Sequence, residues 1–233
     1  MEMPIVLTEY PKSGGSWITS LIGDALNVPK RDIYVRPGFD LFDTSDHPWY
    51  KNGAAHDFPT QSVVKSHELP DSKLIDFEAK YLHLVRDGRD VIVSRWFFDK
   101  DFLVKNGITA SFDKNFDDYV EEKAIEWSRY VLAWASTSTL TIRYEDFLAD
   151  PETALGSVVQ KISGTTLSPG LLADVVGMHT KEKFARSLSN TFKHNTFVRK
   201  GISGDWKNHF SRRNSDSFAS IAHDAMSLLG YAL

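Results

Sequence analysis

One local pattern recurs along the chain: a short apolar run, a turn rich in glycine and charge, then a segment of helical period. Ile5 to Tyr10 reads as a strand, Pro11 to Gly15 as a tight turn, and Ser16 to Leu26 as a helix with Trp17, Leu21 and Ala25 in register. Ser62 to Lys65 predicts a second strand. Tyr81 to Arg86 predicts a third, followed by the turn Asp87-Gly88-Arg89-Asp90 and a helix towards Phe98. Phe116 to Ala135 places Tyr119, Val120, Ile125, Trp127, Tyr130, Val131 and Trp134 on a long amphipathic helix. Leu140 to Tyr144 predicts a fourth strand, and Glu145-Asp146 opens the next helical region. Pro151 starts a helix to about Ile162, because proline suits a first helical turn. Further helices are expected near Leu171–Val176 and Ser217–Leu229. Strands alternating with helices imply an α/β fold, a central parallel sheet flanked by helices. Ligands of such sheets bind beyond the carboxyl ends of the strands, which directs attention to the strand-to-helix turns.

The length of 233 residues fits one domain over 1–233, and neither repeats nor linker-like stretches divide it. Apolar residues at 42% and charged residues at 25% exclude a disordered or fibrous chain. A net charge of −4 excludes a broadly basic nucleic-acid coat, so no nucleic-acid partner is expected. The absence of cysteine excludes disulfides, thiolate metal sites and a cysteine nucleophile. No apolar stretch approaches the roughly 18 residues of a membrane span. The amino terminus carries Glu2 where a signal peptide would be basic, so a cytoplasmic location is expected. Residues 27–61 lack a period and are rich in Pro, Gly, Asp and aromatics, the character of a lid or binding loop.

Three turns are built for anions. Tyr10-Pro11-Lys12-Ser13-Gly14-Gly15-Ser16-Trp17 offers backbone N–H groups at a helix start, hydroxyls and one ammonium. The nucleotide-triphosphate string G-x-x-x-x-G-K-[ST] is absent. Arg86 sits at a strand end, where a guanidinium can fork onto phosphate, and Ser94 follows two helical turns later. Arg199-Lys200-Gly201-Ile202-Ser203-Gly204-Asp205-Trp206 joins two cations to two glycines. Taken singly, these also read as a glycine turn, a helix cap and a solvated basic loop.

Together and in this order they resemble the cytosolic-type sulfotransferases, which use 3′-phosphoadenosine 5′-phosphosulfate (PAPS). That family opens with Y-P-K-S-G-T-T-W, matched at residues 10–17 except that Gly15 and Ser16 replace its threonines. Its late motif R-K-G-x-x-G-D-W-K-N-x-F is met throughout at residues 199–210. Val64 to Pro70 is similar to its K-T-H-x-x-P stretch, Leu84 to Ser94 to its 3′-phosphate helix start, and Arg143 to Asp146 to its Y-E-D segment. No counterpart of the animal members' carboxyl-terminal dimer motif is present, which leaves oligomeric state open.

The resemblance implies a three-layer P-loop-like fold and metal-free sulfuryl transfer from PAPS, with adenosine 3′,5′-bisphosphate (PAP) as product. It implies that Lys12 stabilises the leaving oxygen while Ser13, Gly14, Gly15 and Ser16 bind the 5′-phosphate. Trp17 then packs on the adenine and Tyr144 reaches its edge; Phe184 either stacks on the other face or belongs to the core. Arg86, Ser94, Arg199, Lys200 and Gly201 surround the 3′-phosphate, and Ser94 also restrains Lys12. His67 is the implied general base, since a neutral imidazole accepts a proton near pH 7. Lys65, two residues earlier on the strand, points the same way and assists with sulfuryl charge.

The alternatives are a P-loop kinase and a nucleotide-binding module without turnover. The acceptor stays open between a small phenol or alcohol, a lipid-like alcohol and a carbohydrate. Its walls are sought in residues 34–60 and 96–116, which carry Tyr34, Trp49, Trp96, Phe97, Phe98 and Phe102 among their aromatics.

Overall fold

The computed structural model describes residues 3–33, 61–137, 139–187 and 198–233. Its elements run β1 (Ile5–Glu9), α1 (Gly15–Leu26), β2 (Lys30–Asp32), β3 (Val63–Ser66), β4 (Lys80–Val85), α2 (Gly88–Phe97), α3 (Phe116–Ala135), β5 (Leu140–Arg143), α4 (Tyr144–Ala149), α5 (Pro151–Ser163), α6 (Pro169–Met178), α7 (Lys181–Ser187) and α8 (Arg212–Leu228). Among the described residues the strands form one parallel sheet in the order β2-β3-β1-β4-β5.

Side chains alternate across a strand, so each strand here feeds two cores. Ile5, Leu7, Val63, Leu82, Leu84 and Ile142 face α1, α5 and α6, meeting Ile18, Leu21, Ile22, Leu155, Val159 and Val175. Val6 and Val64 face the opposite way, into a core with Tyr119, Val120, Trp127 and Val131 of α3 and Phe218, Ala222 and Met226 of α8. Burial on both faces explains why these strands read as nearly continuous apolar runs. The result is three layers, helix–sheet–helix, as expected.

β1 lies between β3 and β4, so the chain leaves it towards opposite edges of the sheet. That divergence opens a crevice above the carboxyl end of β1, where the first anion turn lies. The expected strands and helices are met to within a residue or two, while α7 was not expected and three further features depart from expectation. β2 has the sequence Lys-Arg-Asp and no apolar period; it becomes a strand through pairing alone, with Ile33 N–H donating to Lys65 O at 2.9 Å. Charged residues suit such an edge. α8 begins five residues before Ser217, at a capping box in which Ser211 Oγ accepts from Asn214 N and Asn214 Oδ1 accepts from Ser211 N. Phe98–Leu103 continues α2 as a π-helical turn, a widening often found beside functional sites. The acceptor segment 34–60 lies outside the described residues. Among the described residues no helix is long and apolar enough to cross a membrane.

Candidate active site

The turn after β1 takes a demanding backbone path. Lys12 has φ 79° and Gly14 φ 107°, both left-handed, and only glycine visits that region cheaply. Lys12 is held there from outside: Arg86 Nη1 donates to its carbonyl at 3.2 Å. Ser13 folds inward, its N–H and Oγ both donating to Tyr10 O. Space is as tight as the backbone. A Cβ on Gly14 would stand 2.6 Å from the Tyr144 ring, and one on Gly15 would stand 2.3 Å from Glu9 Oε1.

Glu9 explains the second crowding. It ends β1 directly beneath the turn, is 2% exposed, and accepts a hydrogen bond from Gly15 N at 2.6 Å. Burial pushes its carboxyl up to about 7, against the pull of Lys65, the Gly15 N–H and Lys12. Lys12 is only half-buried by surface, yet protein encloses its ammonium. Burial therefore pushes that ammonium down to about 7, with Glu9 opposing the shift and Arg95, Arg86 and Lys65 adding to it. Its Nζ lies 4.3 Å from the Phe98 ring centroid.

β3 supplies the next pair. Lys65 Nζ donates to Asp32 Oδ2 of β2 at 2.7 Å and lies 3.2 Å from His67 Nε2. His67 Nδ1 is 3.0 Å from the Glu9 carbonyl, which can only accept. The proton therefore sits on Nδ1, and Nε2 is the accepting nitrogen.

The second and third turns are fastened to each other. Asp87 caps α2 and holds the Arg89 guanidinium through Nε at 2.9 Å and Nη2 at 2.7 Å. Asp90, 1% exposed, accepts from Gly204 N at 2.6 Å and Trp206 N at 2.9 Å. Arg86 Nη2 donates to Ile202 O at 3.0 Å. Asp205 gathers Arg199, Lys200 and Asn208; burial opposes its charge, but hydrogen bonds from Lys200, Asn208 and Arg199 hold the carboxyl well below the usual range. Two donors are left over: Arg86 Nε and Arg199 Nε are buried without a hydrogen-bond partner among the described residues. Each such orphan costs about 1–3 kcal/mol.

These parts line one cavity of about 380 Å³. Lys12, Gly14, Gly15, Ser16 and Trp17 come from the first turn, Lys65 and His67 from β3, and Arg86 and Ser94 from the second turn and α2. Tyr144, Phe184, Arg199, Lys200 and Gly201 complete the set. Of the catalytic and donor-binding residues expected from sequence, Ser13 alone does not line it. Trp17 donates through Nε1 to His179 O at 2.8 Å and meets Tyr144 edge-on at 5.9 Å. Phe184 reaches the cavity while also packing against buried Phe102. Of the aromatics at 96–102 only Phe98 lines the cavity. Trp96 packs edge-on against Phe112, Phe116 and Tyr119, Phe97 lies under Arg199, and Phe102 is fully buried. Four charged contributors were not expected from sequence: Glu9, Asp32, Arg95 and Lys181. A charged residue ending an apolar strand was the available signal for Glu9; the other three had none.

A parallel sheet carrying glycine-rich, cationic turns at its carboxyl ends, with a histidine and two lysines between them, is a P-loop-like α/β fold. A family model for the sulfotransferase domain matches residues 2–230, and the chain belongs to that family. It is a PAPS-dependent enzyme of sulfuryl transfer. Sulfotransferase 2B1 of Mus musculus is 28% identical over 257 residues, 95% of this chain and 71% of the relative. The 3-alpha-hydroxysteroid sulfotransferase of Cavia porcellus is 26% identical over 247 residues, 95% and 83% of the two chains. Among solved structures, a mouse sulfotransferase complexed with PAP gives a TM-score of 0.72 at 20% identity, covering 97% of this chain and 84% of that one. Retinol dehydratase in complex with androsterone and PAP gives 0.67 at 19%, covering 96% and 80%. At these identities the structural likeness establishes the shared fold.

Glu9 makes a loop prediction that runs against family resemblance. Gly15→Thr brings the turn closer to Y-P-K-S-G-T-T-W, yet its side chain collides with Glu9. Overpacking costs about 1–3 kcal/mol, so PAP affinity is expected to fall about tenfold or more. Glu9→Ala combined with Gly15→Thr is expected to regain most of it. Calorimetry on wild type, Gly15→Thr, Glu9→Ala and the double variant measures the coupling, and an undiminished Gly15→Thr would show that the turn has room to spare.

Proposed function

We propose that the chain transfers the sulfuryl group of PAPS, in line, to a hydroxyl or amine of its acceptor, with His67 as general base and Lys12 at the leaving oxygen. The observation that carries this reading is the meeting, in one cavity, of His67, Lys12 and the two arginines Arg86 and Arg199. PAPS is the second substrate and supplies the sulfuryl group. Arg86, Arg199, Lys200 and Gly201 hold its 3′-phosphate, with Ser94 beside them. The turn from Gly14 to Ser16 holds the 5′-phosphate through backbone N–H groups and the Ser16 hydroxyl, while Ser13 braces the turn. Trp17, Tyr144 and Phe184 surround the adenine.

In the transfer His67 Nε2 takes the proton of the acceptor hydroxyl as its oxygen bonds to sulfur. The bond from sulfur to the phosphate oxygen breaks, and the charge left on that oxygen is met by Lys12. Lys65, fixed by Asp32, faces the sulfuryl oxygens. Positioning and charge neutralisation do the work, as in phosphoryl transfer. The acceptor is a small molecule with a phenolic, aliphatic or sugar hydroxyl.

The donor is tested by titrating PAP and ADP into wild type and Arg199→Ala. A charged hydrogen bond contributes about 1.5–3 kcal/mol, so PAP is expected to bind at least about tenfold tighter than ADP. Arg199→Ala should remove most of that margin. Equal binding of the two nucleotides would return the site to a kinase reading.

A further inference from the structure

Arg95 follows Ser94 on the last turn of α2 and lines the same cavity as Lys12, Lys65 and His67. Its Nε edge is spent: it lies 3.0 Å from Asp99 Oδ1 and 3.1 Å from Asp99 Oδ2. Asp99 is itself fixed by the Tyr119 hydroxyl, which donates to Oδ2 at 2.7 Å. This brace locks the guanidinium plane from one side. Among the described residues, Nη1 and Nη2 have no acceptor. The side chain as a whole is 26% exposed, and Arg95 lines the cavity.

The guanidinium also stands close to the transfer centre. Burial is the main influence lowering Lys12, and among the neighbouring cations Arg95 acts on it most strongly, ahead of Arg86 and Lys65. The donor's anionic groups have their own cations under the proposed function: Arg86, Arg199 and Lys200 at one end, Lys12 and the turn N–H groups at the other. Arg95 is left over. A planar fork whose edge is already neutralised by Asp99 matches a planar, two-oxygen anion.

We propose that Arg95 is a specificity-determining residue and that the acceptor carries a carboxylate, gripped by Nη1 and Nη2 beside its reacting hydroxyl. The inference rests on the sulfuryl-transfer reading above. A neutral acceptor would close the cavity over two unpaired N–H groups, whereas a carboxylate pairs with both; the discrimination is expected to be about tenfold to a hundredfold. It adds a requirement to the hydroxyl acceptors considered above, narrowing them to hydroxy acids.

The test uses matched pairs of hydroxy acids and their methyl esters: 4-hydroxybenzoate, 4-hydroxyphenylacetate and a 3-hydroxy fatty acid. Turnover with PAPS is measured, together with calorimetric binding of each acid to the PAP-loaded enzyme. At least one acid should exceed its ester about tenfold in kcat/KM. Arg95→Met paired with Asp99→Asn, which leaves no buried carboxylate unpartnered, should abolish that preference and leave PAP affinity unchanged. Arg95→Lys should retain only part of it, since an ammonium lacks the fork. Three results would overturn the proposal: esters equal to or better than the acids, no acid either bound or turned over, or a preference that survives the double substitution. A large loss of PAP affinity in that variant would reassign Arg95 to the donor. Failure of wild type to bind PAP would instead sink the donor reading itself.

Discussion

Alanine at position 67 is expected to lower kcat by about 10²–10⁴ while leaving PAP affinity unchanged, the usual consequence of losing a general base. The geometry makes the prediction specific to one nitrogen. The Glu9 carbonyl accepts a hydrogen bond from Nδ1–H at 3.0 Å, which leaves the Nε2 lone pair for the acceptor's proton. Glutamine at 67 preserves much of the side chain's bulk but has no group that protonates near neutrality, so it should fail as badly as alanine. Added imidazole should restore part of the alanine variant's rate and none of the glutamine variant's, whose side chain fills the space. Steady-state kinetics alongside PAP calorimetry separates the outcomes. A variant that keeps wild-type kcat would move the base elsewhere, with Glu9 the next carboxyl at hand.

Methionine at position 12 is expected to reduce kcat by about 10²–10³, comparable with removing one donor from an oxyanion hole. Its effect on pH dependence is equally diagnostic. Burial holds the free Lys12 ammonium down to about 7. An amine is charged below that value and neutral above it, and only the charged form can meet a leaving oxygen. The alkaline limb of kcat/KM, which reports the free enzyme, should therefore fall through about pH 7 in wild type. Donor anions beside the ammonium favour its charged form, so the corresponding limb of kcat should lie at higher pH. Glu9 works in the same sense, since it ionises near 7 and its charge supports Lys12. In Lys12→Met the alkaline limb should vanish, leaving the acid limb of the base. Persistence of that limb in the methionine variant would assign it to another group.

The sheet was legible because parallel strands buried on both faces must be nearly apolar along their length, as Ile5 to Leu7 and Val63-Val64 are and as Leu82 to Val85 is but for the buried His83. β2 was not, because Lys30-Arg31-Asp32 becomes a strand only when β3 offers it a partner. The anion turns were legible for a similar reason of economy. A loop that binds phosphate through its own backbone needs glycine, serine and a nearby cation in sequence, and chain continuity keeps them together.

Relations between turns were another matter. Nothing in the order of residues says that Asp90 will accept the N–H groups of Gly204 and Trp206, more than a hundred positions away. Nor does it say which of the aromatics at 96–102 face the cavity, since a helix followed by a π-helical turn sends Phe98 one way and Trp96 another. Sequence by itself determined the fold class, the family and the turns proposed to bind anions, because those depend on local propensity and on contiguous motifs. Only the tertiary structure decided that Glu9 lies beneath Gly15, that Asp32 fixes Lys65, and that Arg95 enters the cavity braced by Asp99. Each of those is a contact between side chains brought together by packing, and packing is fixed by the whole chain rather than by any one stretch of it.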